Sequence, residues 1–392
     1  MSLSVLLAGG GTAGHVSPLL AIAGDVRFQD PDARIAVLGT PEGLETRLVP
    51  EAGFELLTID KVPMPRRPNG DALRFPGRFR RAVAEVAQML DERSVDVVVG
   101  VGGYVSTPAY LAARRTGTPI VVHEANAKPG LANRVGAALT TEDRVGYCFA
   151  GTPLKGTQVG MPMRTEIEAL DRDEPAQRKA ARARLGLEAD RATLVVTGGS
   201  LGAAALNSAM LGAMQELTDA GLQVLHITGA GKGEELRAAA AAHPHYHVRD
   251  YVDGMENAYL AADLLVCRAG AGTVAEVSVA WVPAVYVPLA IGNGEQRLNA
   301  AGAVEAGAAL LVENAAFTSD WVRGELLPLI LDPERLERMR VAAERMRFPT
   351  AAARTMTAMA YRAAGVPHPG RAYGPDRWTK HERFYRTGEE TA

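Results

Sequence analysis

Residues 264–299 read LLVCRAGAGTVAEVSVAWVPAVYVPLAIGNGEQRLN, and their pattern decides the fold. The apolar run Leu264–Cys267 is a strand, and Ala269-Gly-Ala-Gly272 is a turn whose glycines let the backbone approach a ligand closely. A helix is expected from near Thr273, and its unpaired N–H groups and positive dipole end suit a phosphate. Pro283–Val287 forms the next strand and opens into the polar loop Ile291–Arg297. Strand, Gly turn, helix, strand and polar loop describe the carboxyl edge of a parallel sheet, where such folds bind ligands. The expected ligand is a nucleotide diphosphate. Glu276 has two readings. Thr273-Val-Ala-Glu276 fits a capping box, or the carboxylate accepts both hydroxyls of a ribose, and the spacing alone leaves both open.

The same pattern extends outward. Residues 3–8 (LSVLLA) form a strand feeding Gly9-Gly-Gly-Thr-Ala-Gly14-His15, and a helix follows to about Arg27. Strands recur near Ile35–Leu38, Leu56–Ile59, Val95–Gly100 and Pro119–Val122. The order restarts at Thr193–Gly202, with further strands near Gln223–Ile227, Leu264–Cys267, Ala284–Val287 and Ala309–Val312. Alternating strands and helices predict α/β architecture: two Rossmann-like parallel-sheet domains facing across a ligand-binding cleft. The expected domains are 1–162 and 163–348, followed by a C-terminal helix over 349–365 and a mobile tail over 366–392. Helical structure is expected from Ser319 to Ala364 with a break at Pro349.

The 392 residues exceed one ordinary core, and a net charge of −3 points to no nucleic-acid partner. Cys148 and Cys267 make no metal pattern and read as small core residues of a reduced cytoplasmic protein. No signal peptide is legible and no apolar run approaches the ~20 residues of a membrane span, so membrane contact is expected to be peripheral. Met64–Ala82 mixes six arginines and one acid with Met64, Leu73, Phe75 and Phe79. It reads either as a solvated surface or as a face for an anionic membrane.

Gly9-x-Gly11-x-x-Gly14 matches the dinucleotide fingerprint, yet the second strand ends Val37-Leu-Gly-Thr40 without the required acid. That argues against a nicotinamide cofactor. His15, on the Gly turn at the helix start, is either structural or a catalytic base. Gly100–Ser106 is a third Gly turn, and His123-Glu124-Ala-Asn126 is a polar cluster directly after a buried strand, where unpaired groups would be costly. No P-loop and no metal-ligand spacing is present, so backbone N–H groups and arginines such as Arg164 or Arg268 are expected to meet the diphosphate.

Taken together, GGGTAGHVSP (9–18), GLETRLVP (43–50), GVGGYVS (100–106), HEAN (123–126), GGSLGA (198–203), CRAGAGTVAE (267–276) and GNGEQRLNA (292–300) resemble the MurG family of bacterial glycosyltransferases, with the GT-B fold. The resemblance runs in order over about residues 3–345. It implies transfer of N-acetylglucosamine from UDP-GlcNAc to the C4 hydroxyl of the muramyl sugar of lipid I, giving lipid II at the cytoplasmic face of the cell membrane, without a metal or other cofactor. It implies donor contacts from Arg164 and Val252 (by the uracil), from Gly199, Ser200, Gly202, Ala271, Gly272 and Thr273 (by the diphosphate), from Glu276 (on the ribose), and from Glu295 and Gln296 (on the sugar). Thr12, Gly14 and Asn126 would also reach the donor, and His15, Tyr104, Glu124 and Asn126 would line the acceptor side. His15 is the first candidate for the base and Glu124 the second. Ala125, Leu201 and Glu295 stand where the family often has Gln. The rival readings are a GT-B transferase using another nucleotide sugar and a natural-product acceptor, and a nucleotide-sugar-binding protein without turnover.

Overall fold

The computed structural model describes residues 2–62, 70–199, 203–289 and 294–372. The chain forms two compact units, one of residues 1–164 with the segment from Pro349, the other of Thr165–Phe348.

In the first unit seven parallel strands, β1 (Ser4–Gly9), β2 (Arg34–Gly39), β3 (Glu55–Thr58), β4 (Val97–Gly102), β5 (Ile120–Glu124), β6 (Val145–Tyr147) and β7 (Thr157–Gln158), lie in the order β3-β2-β1-β4-β5-β6-β7. β1 is buried along its whole length, and its two faces serve two cores. Leu3, Val5 and Leu7 pack with Leu19, Ile22 and Val26 of the helix Ala13–Gln29 and with Met356 and Tyr361 of the helix Ala352–Ala364. Leu6 and Ala8 pack with Val86 and Leu90 of Gly70–Glu92 and with Tyr110 of Ser106–Thr116. Successive side chains of a strand point to opposite faces, so an all-apolar run is what a strand covered on both sides requires.

The second unit holds six parallel strands, β8 (Thr193–Thr197), β9 (Gln223–Ile227), β10 (Tyr246–Arg249), β11 (Leu264–Cys267), β12 (Ala284–Tyr286) and β13 (Ala309–Leu311), ordered β10-β9-β8-β11-β12-β13. In each sheet the winding reverses between two neighbours, β1 and β4 in one, β8 and β11 in the other. Ligands bind at such switch points, outside the carboxyl ends of the strands. The Gly turns that follow these four strands are therefore the ones the topology exposes.

Several expectations are corrected. The helix expected near Thr273 starts at Ala271, with Gly270 as its cap. The helical region after Ser319 is broken again at Leu331–Asp332, where Asp332 caps Pro333–Arg345 through a bond from Arg335 N. Strands β6, β7 and β10, short and poor in apolar alternation, were not expected at all. The described start of the expected mobile tail is anchored: Gln29 and the Arg371 main chain exchange two hydrogen bonds, at 3.1 and 2.9 Å, and the Arg371 guanidinium lies over Phe28. From residue 373 on, the tail lies outside the described residues.

Candidate active site

The first unit gathers its polar residues around Gly102, at the end of β4. Gly102 has φ +99°, and a Cβ there would stand 3.1 Å from His15 Nε2 and 3.3 Å from Asn133 Nδ2. His15 and the cluster after β5 thus converge on one point. The His15 ring is half-buried, with Nδ1 3.2 Å from Thr12 Oγ1. Burial holds the imidazole below its ordinary value, against the opposing pulls of a hydrogen bond to the Gly10 main chain and of the Glu45 carboxylate. A neutral ring is the form that can take up a proton. Thr12 and Gly14 lie exposed on the same turn.

Glu124 is 2% exposed and closes a network. Asn126 donates to Oε1 from its main chain (2.8 Å) and from Nδ2 (3.4 Å), while Gly130 N and Asn133 Nδ2 each donate to Oε2 at 3.0 Å. Asn133 also donates to His123 O and accepts from the Tyr110 hydroxyl at 2.8 Å. Tyr110 fits because Gly100 and Gly136 carry no Cβ, which would fall on its ring. Burial lifts the Glu124 carboxyl above the ordinary range, opposed by these donors. Both oxygens are engaged in shaping residues 124–133. Tyr104 stands apart, 48% exposed, with Lys61 Nζ 5.2 Å from its ring centre.

Glu45 was not singled out as a site residue. It is wholly buried, and it accepts from Gly11 N (2.9 Å), Thr40 N (2.9 Å) and Thr40 Oγ1 (2.8 Å). The acid missing from the end of β2 is thus supplied from five residues further on, directed at the loop and not at a ribose. The only signal for it was the GLETRLVP block.

In the second unit, Gly270 caps Ala271–Val279, which puts Ala271, Gly272 and Thr273 in its first turn, where N–H groups lack intrahelical partners. The capping-box reading of Glu276 fails, because Glu276 lies a turn beyond the box position. Its Oε2 accepts instead from the Tyr259 hydroxyl at 2.6 Å. Gly199 follows β8 with φ +74°, and its N–H donates to Thr197 Oγ1 at 3.2 Å. Ser200, Leu201 and Gly202 lie outside the described residues. Asn299, buried, donates to Ala269 O at 3.3 Å and ties the helix Glu295–Glu305 to the Gly turn. Gln296 Oε1 accepts from Leu289 N at 2.9 Å, so a sugar hydroxyl would meet its Nε2. Val252 is 7% exposed.

Arg268, an expected diphosphate contact, is held at the carboxyl end of its strand. Its Nη1 donates to Val287 O (3.0 Å), Pro288 O (3.4 Å) and Asn314 Oδ1 (2.7 Å), so it braces the ends of the neighbouring strands. Arg164 is exposed at the end of the first unit. Of the basic-apolar segment, residues 63–69 are not described. In the helix beyond, Arg74, Arg78, Arg80 and Arg81 are exposed, and Phe75 and Phe79 stack at 5.3 Å. No helix among the described residues is long and apolar enough to cross a membrane, and no group of three His, Cys, Asp or Glu among them could hold a metal.

Residues 5–142 match the glycosyltransferase family 28 N-terminal domain and residues 193–355 its C-terminal domain. The chain is 56% identical over 339 residues, 86% of its length and 90% of the relative's, to a protein of Paenarthrobacter aurescens. A Mycobacterium bovis protein is 52% identical over 354 residues, 88% of this chain and 85% of the other. Both bear the name UDP-N-acetylglucosamine–N-acetylmuramyl-(pentapeptide) pyrophosphoryl-undecaprenol N-acetylglucosamine transferase. Among solved structures, Acinetobacter baumannii MurG superposes with a TM-score of 0.76 at 29% identity, over 92% of this chain and 99% of that one. The kitacinnamycin glycosyltransferase, at 20% identity and a TM-score of 0.62, covers 93% of this chain and 99% of its own and shares the fold. This chain belongs to the MurG family of glycosyltransferases.

Proposed function

We propose that this enzyme moves N-acetylglucosamine from UDP-N-acetylglucosamine to the C4 hydroxyl of the muramyl sugar of lipid I, giving lipid II and UDP. The names of relatives more than half identical over most of their length support the donor and acceptor. The observation that carries the chemistry is the convergence of a neutral His15 and the Glu124 network at Gly102. The reaction is a single inverting displacement. A base takes the proton of the C4 hydroxyl, its oxygen bonds to C1 of the donor sugar, and the C1–O bond to UDP breaks from the opposite face.

His15 is the better base of the two, because Glu124 has both oxygens committed to four donors. Asn126 and Tyr104 are assigned to the acceptor, and Thr12 and Gly14 to the donor. In the second unit the first turn of Ala271–Val279 offers Ala271, Gly272 and Thr273 N–H groups to the diphosphate as its charge grows. The Ser200 hydroxyl is assigned to the diphosphate and Arg164 and Val252 to the uracil, while Glu276 accepts from the ribose and Gln296 donates to the sugar. The exposed arginines flanking Phe75 and Phe79 support a peripheral seat on an anionic membrane, at its cytoplasmic face.

The test is UDP release from UDP-N-acetylglucosamine with and without a lipid I analogue, on the parent enzyme and on Glu276→Ala. Acceptor-dependent release, weakened at least tenfold in the variant, is the expected result. Bound UDP without release would send the assignment to another acceptor. Release indifferent to Glu276→Ala would remove the carboxylate from the ribose.

A further inference from the structure

Glu45 is a carboxylate at zero exposure with no cation among its hydrogen-bond partners in the described residues. Burying an ionised carboxylate is expensive, and such groups persist where donors meet both oxygens. Here Oε2 takes the Gly11 N–H, and Oε1 takes the Thr40 N–H and hydroxyl. Three glycines make its room, one in the turn after β1 and two at and after the end of β2: a Cβ at Gly10, Gly39 or Gly43 would fall inside contact distance of the Glu45 side chain. The tie therefore joins the turn after β1 to the loop after β2, and it holds the turn four residues before His15. The opposite side of that turn is fixed by backbone, since a Cβ at Gly103 would stand 2.8 Å from Gly10 O. One side of the turn abuts the chain, and on the other the Glu45 carboxylate holds Gly11.

We infer that Glu45 is a positioning residue of the transferase, whose buried carboxylate sets the Gly9–Gly14 turn so that His15 faces Gly102. It touches neither substrate in this role. It acts through the turn, and the inference rests on the reading of His15 as the base. A carboxylate is the group that suits this place. A carboxamide has one acceptor oxygen, so it would satisfy Thr40 or Gly11 and turn N–H toward N–H at the other. Its donors hold the carboxyl below the ordinary range in spite of burial, so it stays ionised behind the turn. Facing His15 are Thr12 from its own turn, Gly102 from the end of β4 and Asn133 from the helix Leu131–Ala138; the charged groups behind them are Glu45 and Glu124.

The decisive experiment compares Glu45→Gln with the parent full-length enzyme in three readouts: kcat and KM with a lipid I analogue, UDP affinity, and the His15 imidazole titration by NMR. We expect kcat to fall about ten- to a hundredfold, as for a misplaced catalytic group, with UDP affinity within twofold. The His15 midpoint should move to lower pH, because an opposite charge has been removed. A kcat within threefold of the parent and an unmoved midpoint would overturn the inference, as would a loss of rate that only tracks the loss of folded protein. Should Glu45→Gln fail to fold, Gly43→Ala carries the test: it keeps the charge but pushes the carboxylate aside, and an unchanged kcat there would equally overturn it. If the parent enzyme releases no UDP with lipid I, the rate readout falls with the functional reading. The titration then decides the part of Glu45 alone.

Discussion

Gly102 takes a backbone conformation that side chains rarely adopt, φ +99°, at the point that His15 and Asn133 both approach. A methyl group there meets both strain and two polar atoms. Gly102→Ala should cost about 1–3 kcal/mol of stability and lower kcat more than tenfold while UDP still binds, a split that steady-state kinetics beside UDP titration will read. Tyr259 is a second single-residue dependency. Its hydroxyl reaches Glu276 at 2.6 Å from a wholly different helix. Tyr259→Phe keeps the packing and removes only that bond, so donor KM should rise about three- to tenfold with kcat nearly unchanged, for a hydrogen bond to a charged group worth ~1.5 kcal/mol. These partners were invisible in the sequence for one reason: Tyr259 is 17 residues from Glu276, and Asn133 is 9 from Glu124. Short motifs show which residues carry chemistry, while the groups that aim them come from wherever the fold happens to pass.

Among elements, the helix Met255–Ala261 shows how a tertiary clamp replaces local capping. Its last carbonyls are met by three arginines: Arg172 donates to Tyr259 O and Ala262 O, Arg178 Nε to Leu260 O at 3.3 Å, and Arg182 Nε and Nη2 to Ala261 O at 3.1 and 3.0 Å. Asp263 balances the cluster through Arg178 and Arg182, at 2.5 and 2.9 Å. Cations at a helix C-terminus also complement its dipole. Because Tyr259 rides on this helix, the clamp steadies the group that holds Glu276. Arg182→Ala would bare Ala261 O and half of Asp263 in a buried place, at a cost of about 3 kcal/mol, visible as a lower midpoint in thermal or urea unfolding. In the helix Pro175–Arg184, nothing in the local sequence says that Arg178 and Arg182 turn inward while Arg184 stays exposed. The strands and Gly turns, by contrast, were legible because an apolar run ending in glycines is a local signal. The capping box was local too, and it misled because the helix starts two residues before Thr273.

On the scale of the whole molecule, each unit buries a neutral histidine in its sheet. His123 in β5 lies at 0% exposure with its Nε2 2.9 Å from Gly160 O, and burial drives it down to about 4. His226 in β9, bonded to Tyr246 and Asn207, is driven down to about 3. Both folded values lie below the ordinary 6.5, so the unfolded chain takes up protons first as pH falls. Their stabilising contribution is complete above about pH 6.5 and fades below it, down to about 4 for one and 3 for the other. At pH 5 each should cost about 2 kcal/mol relative to neutral pH. Urea unfolding at pH 7 and 5 checks this, with His226→Asn expected to flatten the dependence of the second unit.

The helix Ala352–Ala364 belongs to the first unit, although the second intervenes in the chain. During synthesis the second unit therefore emerges complete while the first still waits for a wall of its core. Leu19, Ile22 and Val26 share their core with Ala352, Met356, Met359, Ala360, Tyr361 and Ala363 of that helix. A chain released at residue 348 would carry one finished unit and one with a greasy flank, the kind of surface that recruits chaperones. A chain ending at 348 should accordingly aggregate, while residues 165–348 alone stay soluble, an order of assembly opposite to the order of translation.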